Sequence, residues 1–146
     1  MAVNLYFLVG KGKANPPATK TPYSLPWMFG RPFYISPVFD LHGESAETDL
    51  KKFHDIMSER CAMSPYHYIF IGGDCFNAIF PGDKRWRPSV SADSIGKRDD
   101  WIQETLEYNI EIWKPYKNRI IAIGEGNHEW KVRKLYGFSL CEEMAK

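Results

Sequence analysis

Three short apolar runs are spaced along the chain between residues 33 and 123. They cover residues 33–39 (FYISPVF), 66–71 (YHYIFI) and 119–123 (RIIAI), and all are rich in β-branched or aromatic side chains. Runs of this length that are apolar on both faces are typical of strands buried in a parallel sheet. We therefore predict three strands, with Pro37 marking a bulge or the end of the first.

Two stretches between these runs are apolar on one face only. The first begins at a Ser45 cap and runs to about Cys61, and the second runs from about Lys97 to Tyr116. Helical spacing relates Leu50, Phe53, Met57 and Cys61 in the first, and Trp101, Ile102, Leu106, Ile110 and Trp113 in the second. This spacing predicts two amphipathic helices.

The two ends of the chain differ in character. Residues 3–9 (VNLYFLV) predict a further strand, whereas residues 10–32 contain five prolines, a density that excludes a helix. A last helix is expected after His128, with a break near Gly137. We therefore divide the chain into a strand with a proline-rich arm over 1–32 and a folded domain over 33–146.

Alternation of strands and helices sets the fold class. It predicts an α/β domain with a largely parallel sheet flanked by helices. In sheets of this kind, ligands bind at the carboxyl ends of the strands. The turns that follow the three strands are therefore the place to look for chemistry.

Composition excludes some classes of function. The net charge is +1, so no global charge favours nucleic acid or an anionic membrane. The three cysteines form no CxxC pair, and the apolar stretch near Met1 is too short for a signal core or a membrane span. We expect a cytoplasmic protein with no membrane partner. The aromatic content of 15% indicates a ring-rich core, or else a ligand groove.

Each predicted inner strand ends in a turn that carries metal-binding side chains. The turns are Asp40-Leu41-His42-Gly43, Gly72-Gly73-Asp74 and Gly124-Glu125-Gly126-Asn127-His128-Glu129. Carboxylates and imidazoles bind Mn, Fe or Zn, and two such ions about 4 Å apart can clamp a phosphoryl group. Because the carboxyl ends of parallel strands meet at one edge, we expect the three turns to lie together.

These motifs resemble the signature of the calcineurin-like metallophosphoesterase superfamily, phage or bacterial type. That signature is Asp-x-His, then Gly-Asp, then Gly-Asn-His-Glu or -Asp, each after a strand of an αββα sandwich. The present motifs occur in the same order, separated by 34 residues (40 to 74) and 53 residues (74 to 127). The resemblance covers about residues 33–136 and implies the amino-terminal half of such a sandwich.

The resemblance also implies a role for each position. Asp40 and His42 would hold a first metal ion, Asp74 would bridge two ions, and Asn127 would bind the second ion and contact the phosphate. His128 would act beside the scissile bond as a general acid or phosphate stabiliser. The implied cofactors are two divalent ions (Mn, Fe or Zn), or a single one. The implied function is hydrolysis of a phosphomonoester or phosphodiester, including a nucleotide or nucleic acid.

Two departures from the family pattern leave alternatives open. Asn77 replaces a second aspartate, and no histidine follows His128, where the family has two further histidine motifs. Water could fill the vacant metal positions, a second copy of the chain could complete the sheet and site, or catalysis could be absent. The remaining histidines, His54 and His67, fall in a helix and a strand and are expected at the surface or in the core.

Simpler interpretations compete with the metal site. Taken singly, Asp40, Asp74 and Asn127 could be turn or cap residues, and Cys75 is expected to be a small buried residue. An incomplete relative could serve as a binding or assembly protein. The basic clusters Lys84-Arg85-Trp86-Arg87 and Lys131, Arg133 and Lys134 could bind nucleic acid, or could be solvated surface.

Overall fold

A computed structural model describes residues 33–80, 83–87 and 100–146 of the chain. The elements, in order, are β1 (Tyr34–Val38), α1 (Leu50–Met63), β2 (His67–Ile71), α2 (Trp101–Trp113), a 3-10 turn (Lys114–Tyr116), β3 (Ile120–Ile123), α3 (Asn127–Tyr136) and α4 (Leu140–Met144). The predicted α/β class, a parallel sheet flanked by helices, is confirmed. The predicted strand at 3–9 and the proline-rich arm lie outside the described residues.

The three strands form one sheet in the order β1-β2-β3, and both pairings are parallel. The register of β1 runs from Tyr34 opposite His67 to Val38 opposite Ile71. On central strand β2, alternate side chains His67, Ile69 and Ile71 are buried, as the two-residue period of a strand requires. The sheet therefore presents one well-covered face to the core.

Helices supply most of the buried apolar core. The buried apolar residues include Met57 of α1, Trp113 of α2, Val132 of α3 and Leu140 of α4. Helix α1 packs against β2, and α4 packs against both α2 and α3. Burying a side chain of this size stabilises the fold by roughly 1.5–3 kcal/mol. No helix in the described part of the chain combines the length and apolarity needed to cross a bilayer.

The predicted start of the first helix is wrong. Helix α1 begins at Leu50 and is capped by Asp49, whose carboxylate accepts a 2.9 Å hydrogen bond from the Lys52 backbone N–H. Ser45 instead belongs to a turn, in which its N–H donates to the His42 carbonyl oxygen at 2.8 Å. The turn continues through Thr48, whose hydroxyl donates to the same carbonyl oxygen at 2.8 Å. Because these bonds hold Ser45 and Thr48 in a turn, the helix begins only at Leu50.

The ends of the later helices have local causes. Asp100 caps α2, which begins at Trp101, by accepting the Gln103 N–H at 3.1 Å. The predicted start at Lys97 lies outside the described residues. Pro115 has no N–H to continue the α-helix, and the chain tightens into the 3-10 turn. Gly137 ends α3 with a left-handed φ of 68°, which confirms the predicted break.

Candidate functional site

The turns after β1 and β2 run side by side. The ladder between these strands continues past their ends through three backbone hydrogen bonds: Asp40 N–H to Gly73 O (3.1 Å), His42 N–H to Asp74 O (3.0 Å) and Gly43 N–H to Cys75 O (2.8 Å). The chain therefore places two of the predicted metal ligands, Asp40 and His42, alongside the third, Asp74.

The Asp74 carboxylate connects this pair of turns to the start of α3. Its Oδ1 accepts the His128 backbone N–H at 2.9 Å. With the amide nitrogen of Asn127 oriented toward the carboxylate, Asn127 donates to Oδ2 at 3.1 Å. The contact is close because Gly126 has no side chain; a Cβ there would lie 2.3 Å from Asp74 Oδ1. All three predicted turns therefore meet at Asp74.

Left-handed backbone is concentrated in these turns. Among the described residues, the non-glycine residues with positive φ are Asp40 (52°), His42 (47°), Asp74 (49°) and Ala78 (45°). Such conformations cost about 1–3 kcal/mol each and persist where the surroundings enforce them. Three of the four are predicted site residues, so the strain is located where the sequence motifs predict function.

The two histidines of the motifs face each other. The rings of His42 and His128 have centroids 4.7 Å apart and an interplanar angle of 67°. The Nδ1 atom of His128 contacts the backbone carbonyl oxygen of Asn77. A carbonyl oxygen only accepts, so this partner assigns the proton to Nδ1 and leaves Nε2 as the unprotonated nitrogen of the neutral ring. Nε2 lies 3.4 Å from Nη1 of Arg85.

Glu129 anchors the site from beneath, a role that the motif did not reveal. Its side chain is fully buried and accepts backbone N–H groups from Asp74 (3.0 Å), Phe76 (2.9 Å) and Gly126 (2.8 Å). One carboxylate thereby satisfies donors from the turn after β2 and from the turn before α3. A glutamate at the third position of a helix was the available signal, because it typically reaches back to the cap N–H.

A second buried carboxylate, Glu44, supports the turn after β1. It is 2% exposed and accepts the Ala78 N–H and the Asn109 side-chain amide, each at 2.7 Å. Burial raises the pKa of Glu44 above its ordinary value, although these hydrogen bonds oppose the shift. Gly43 lies against the same asparagine, since a Cβ at Gly43 would be 2.5 Å from Asn109 Oδ1. The sequence motifs gave no sign of this support.

The loop at 83–87 brings charge to the mouth of the site. Asp83 accepts hydrogen bonds from the backbone N–H (2.9 Å), Nε (3.3 Å) and Nη2 (3.1 Å) of Arg85. Lys131 of α3 also donates to Asp83. The Arg85 guanidinium, followed by Lys131, holds the pKa of Asp83 well below its usual range. Both basic clusters noted in the sequence thus contribute to one ion-paired group.

The predicted metal ligands differ in how free they are. The Asp74 carboxylate has two bonds and roughly four acceptor positions, so it can still bind a cation. His42 Nδ1 is buried and has no hydrogen-bond partner among the described residues. Asp40 is exposed. An orphaned imidazole nitrogen with carboxylate oxygens is a donor set that suits Mn, Fe or Zn.

The ligand atoms are not gathered tightly. Among residues 33–80, 83–87 and 100–146, the group of three acidic, thiol or imidazole side chains within 4.8 Å of one another is Cys75, Glu129 and Cys141, not Asp40, His42 and Asp74. Burial raises the pKa of the Cys75 thiol, and Glu129 is occupied by three N–H groups, so that group is poorly suited to a cation. Asp40, His42 and Asp74 would therefore have to bring their ligand atoms closer together to share one ion.

The remaining histidines and Cys75 have structural places. His67 is 3% exposed and its Nε2 bonds the Ser36 hydroxyl at 2.7 Å, while His54 Nδ1 bonds the Tyr116 hydroxyl at 2.9 Å. Cys75 is 1% exposed, which confirms the buried position expected for it.

No protein-family model, curated protein or solved structure matches the chain at a significant level.

Proposed function

We propose that this chain is a metal-dependent phosphoester hydrolase with a two-metal site, acting on a phosphomonoester or phosphodiester. The observation that carries the proposal is the convergence of three post-strand turns on Asp74, where the turn after β1 contacts its backbone carbonyl oxygen and the turn before α3 contacts its carboxylate. The order of the motifs, which resembles that of calcineurin-like metallophosphoesterases, supports it independently. Residues 33–146 would then form the amino-terminal half of an αββα sandwich.

Asp40, His42, Asp74 and Asn127 are the residues that would hold the ions. When bound, divalent ions of this class neutralise phosphoryl oxygens and lower the pKa of a coordinated water toward neutrality. The buried Nδ1 of His42, which has no partner among the described residues, supports this assignment. Burying a polar nitrogen away from water without a hydrogen bond or a metal costs free energy. The spare acceptor capacity of Asp74 supports its bridging role.

His128 would handle the proton of the leaving group. Its Nδ1 proton is held by the Asn77 carbonyl oxygen, so ring orientation is set, and Nε2, which lies beside Arg85 Nη1, would be the atom that contacts substrate. Protonated Nε2 would donate to the departing alkoxide oxygen. A positioned acid of this kind typically contributes about 10²–10⁴-fold in rate. The neighbouring guanidinium of Arg85 would help to retain an anionic substrate.

The decisive test is Mn²⁺-dependent hydrolysis of p-nitrophenyl phosphate and bis(p-nitrophenyl) phosphate. Asp74→Asn should lower kcat/KM by more than about 100-fold. This exceeds the loss of about 10- to 100-fold in activity that is typical when a residue hydrogen-bonded to a metal ligand is replaced. Asp55→Asn is the matched control, since Asp55 is an exposed aspartate paired with Lys51 on α1. Equal turnover in the two variants, or turnover that survives chelation of all divalent ions, would contradict the proposal.

The apolar surface of β1 favours a second candidate, an assembly protein built on the same fold. Four side chains in and beside this strand are exposed: Phe33 (53%), Tyr34 (44%), Ile35 (39%) and Phe39 (54%). Within the described sheet β1 is an edge strand, and exposed apolar edges promote self-association. Sedimentation should then show an oligomer that Ile35→Lys dissociates. A monomer at all concentrations would exclude this candidate.

A further inference from the structure

One nearly buried carboxylate holds two cations beside His128. The Asp83 side chain is 6% exposed, whereas those of Arg85 and Lys131 are 44% and 42% exposed. The cations are therefore accessible to solvent while the anion that orders them is shielded. An incoming anion would meet the positive groups first, which distinguishes this cluster from an ordinary surface ion pair.

The cluster keeps charge and hydrogen-bond donors in reserve. Two cations on one carboxylate leave a net charge of +1, and the low pKa of Asp83 keeps that carboxylate ionised. Arg85 uses Nε and Nη2 on Asp83, so its Nη1, 3.4 Å from His128 Nε2, is directed to the site. An ammonium has three donors, and Lys131 directs one to Asp83.

Space for a ligand adjoins the cluster. Asp83 and Lys131 line a cavity of about 210 Å³ whose other walls include Phe80 and Tyr136. The lining of the cavity therefore combines the Asp83–Lys131 ion pair with aromatic side chains. The ammonium of Lys131 lines this cavity, and the guanidinium of Arg85 shares the Asp83 carboxylate with it. Guanidinium and ammonium groups are the donors that bind phosphate oxygens in proteins.

We propose that Arg85 and Lys131 form a subsite for a second phosphate group of the substrate, adjacent to the phosphate that reacts at His128. The inference rests on the proposed function, because it assigns the substrate class of the same site. The substrate would carry two neighbouring phosphates. Either a free nucleoside polyphosphate or the backbone of an oligonucleotide supplies that chemistry.

Binding to the metal-free protein tests the subsite apart from hydrolysis. Isothermal titration calorimetry in the presence of a chelator would measure the affinity for inorganic pyrophosphate. The unsubstituted protein would be compared with Arg85→Gln, Lys131→Gln and Lys134→Gln. Lys134 is an exposed lysine on the same helix and is the matched control. Each of the first two variants should weaken pyrophosphate binding by about tenfold, the loss expected for one charge-assisted contact. Unchanged pyrophosphate binding in both would overturn the subsite.

Kinetics with Mn²⁺ then identify the source of the second phosphate. Arg85→Gln and Lys131→Gln should lower kcat/KM more for ATP or a single-stranded deoxyoligonucleotide than for p-nitrophenyl phosphate. The substrate with the larger loss in kcat/KM, ATP or the oligonucleotide, identifies the source of the second phosphate. Equal losses in kcat/KM on all three substrates would overturn the proposal. If neither the unsubstituted protein nor the variants hydrolyse any substrate, but the two variants still bind pyrophosphate more weakly, the hydrolase proposal fails while the anion subsite stands.

Discussion

The carboxylate of Asp74 accepts the backbone N–H of His128 at 2.9 Å across 54 positions of sequence. This bond joins the end of the central strand to the first turn of α3. The imidazole of His128 lies next to that of His42. The residue that accepts the His128 N–H, Asp74, is also the one proposed to bridge two cations. The position of the proposed acid and that of the proposed metal bridge are therefore set by the same contact.

Replacing the imidazole of His128 should remove the proton donor and leave the fold intact. We expect His128→Ala to lower kcat for bis(p-nitrophenyl) phosphate by about 10²–10⁴-fold. His54→Gln is the control, since His54 contacts Tyr116 away from the turns. Steady-state kinetics with circular dichroism of each variant provides the measurement. Comparable kcat values for the two variants would remove His128 from the mechanism.

A methyl group at Gly126 should disturb the site through Asp74. The added Cβ would meet Asp74 Oδ1 at 2.3 Å, so Gly126→Ala should destabilise the protein by about 1–3 kcal/mol and abolish turnover. Gly124→Ala is the matched control, because a Cβ there has its nearest neighbour at 3.6 Å. Urea denaturation of both variants gives the comparison. Equal midpoints would show that the close approach is unimportant.

Glu129 should contribute more to stability than a surface glutamate. Glu129→Gln turns one acceptor into an amide donor that faces backbone N–H groups, and we expect a loss of about 1–3 kcal/mol in the free energy of unfolding. Glu142→Gln, which affects an exposed ion pair with Arg133, should cost under about 1 kcal/mol. Denaturant titration at pH 7 measures both, and similar losses would contradict the anchoring role.

The raised pKa of Glu44 predicts a pH dependence of stability. Glu44 ionises in the unfolded chain near its ordinary pKa but at higher pH in the folded protein. Its contribution to the free energy of unfolding therefore falls as pH rises from the unfolded pKa to the folded one, and is constant above. Glu44→Gln removes this term. The stability of the variant relative to the unsubstituted protein should accordingly rise with pH across that interval.

Urea denaturation at several pH values from 4 to 8 would test the Glu44 prediction. Glu111→Gln provides the control, because Glu111 is exposed and paired with Lys114. The relative stability of the control should not follow the Glu44 trend. A parallel pH profile for Glu44→Gln and the unsubstituted protein would show that burial does not disfavour the charged form.

Local patterns in the sequence were enough to predict the three strands and the helices between them. A strand or helix depends on side chains two to four positions apart, so the apolar runs that became β1, β2 and β3 could be recognised directly. The break at Gly137 also has a local cause, its left-handed φ. The three turns followed from strand ends meeting at one edge of a parallel sheet, and the resemblance of their motifs to a metallophosphoesterase signature singled out Asp40, His42, Asp74, Asn127 and His128 within them.

Only the tertiary structure decided which distant groups support those residues. Ser45 has the chemistry of a cap, but the turn around His42 engages it, and Asp49 caps α1 instead. The contact of Glu44 with Asn109 spans 65 positions, and that of Asp83 with Lys131 spans 48. Local periodicity carries no information on such pairs, because they form only when the packing of separate helices and turns brings their side chains together.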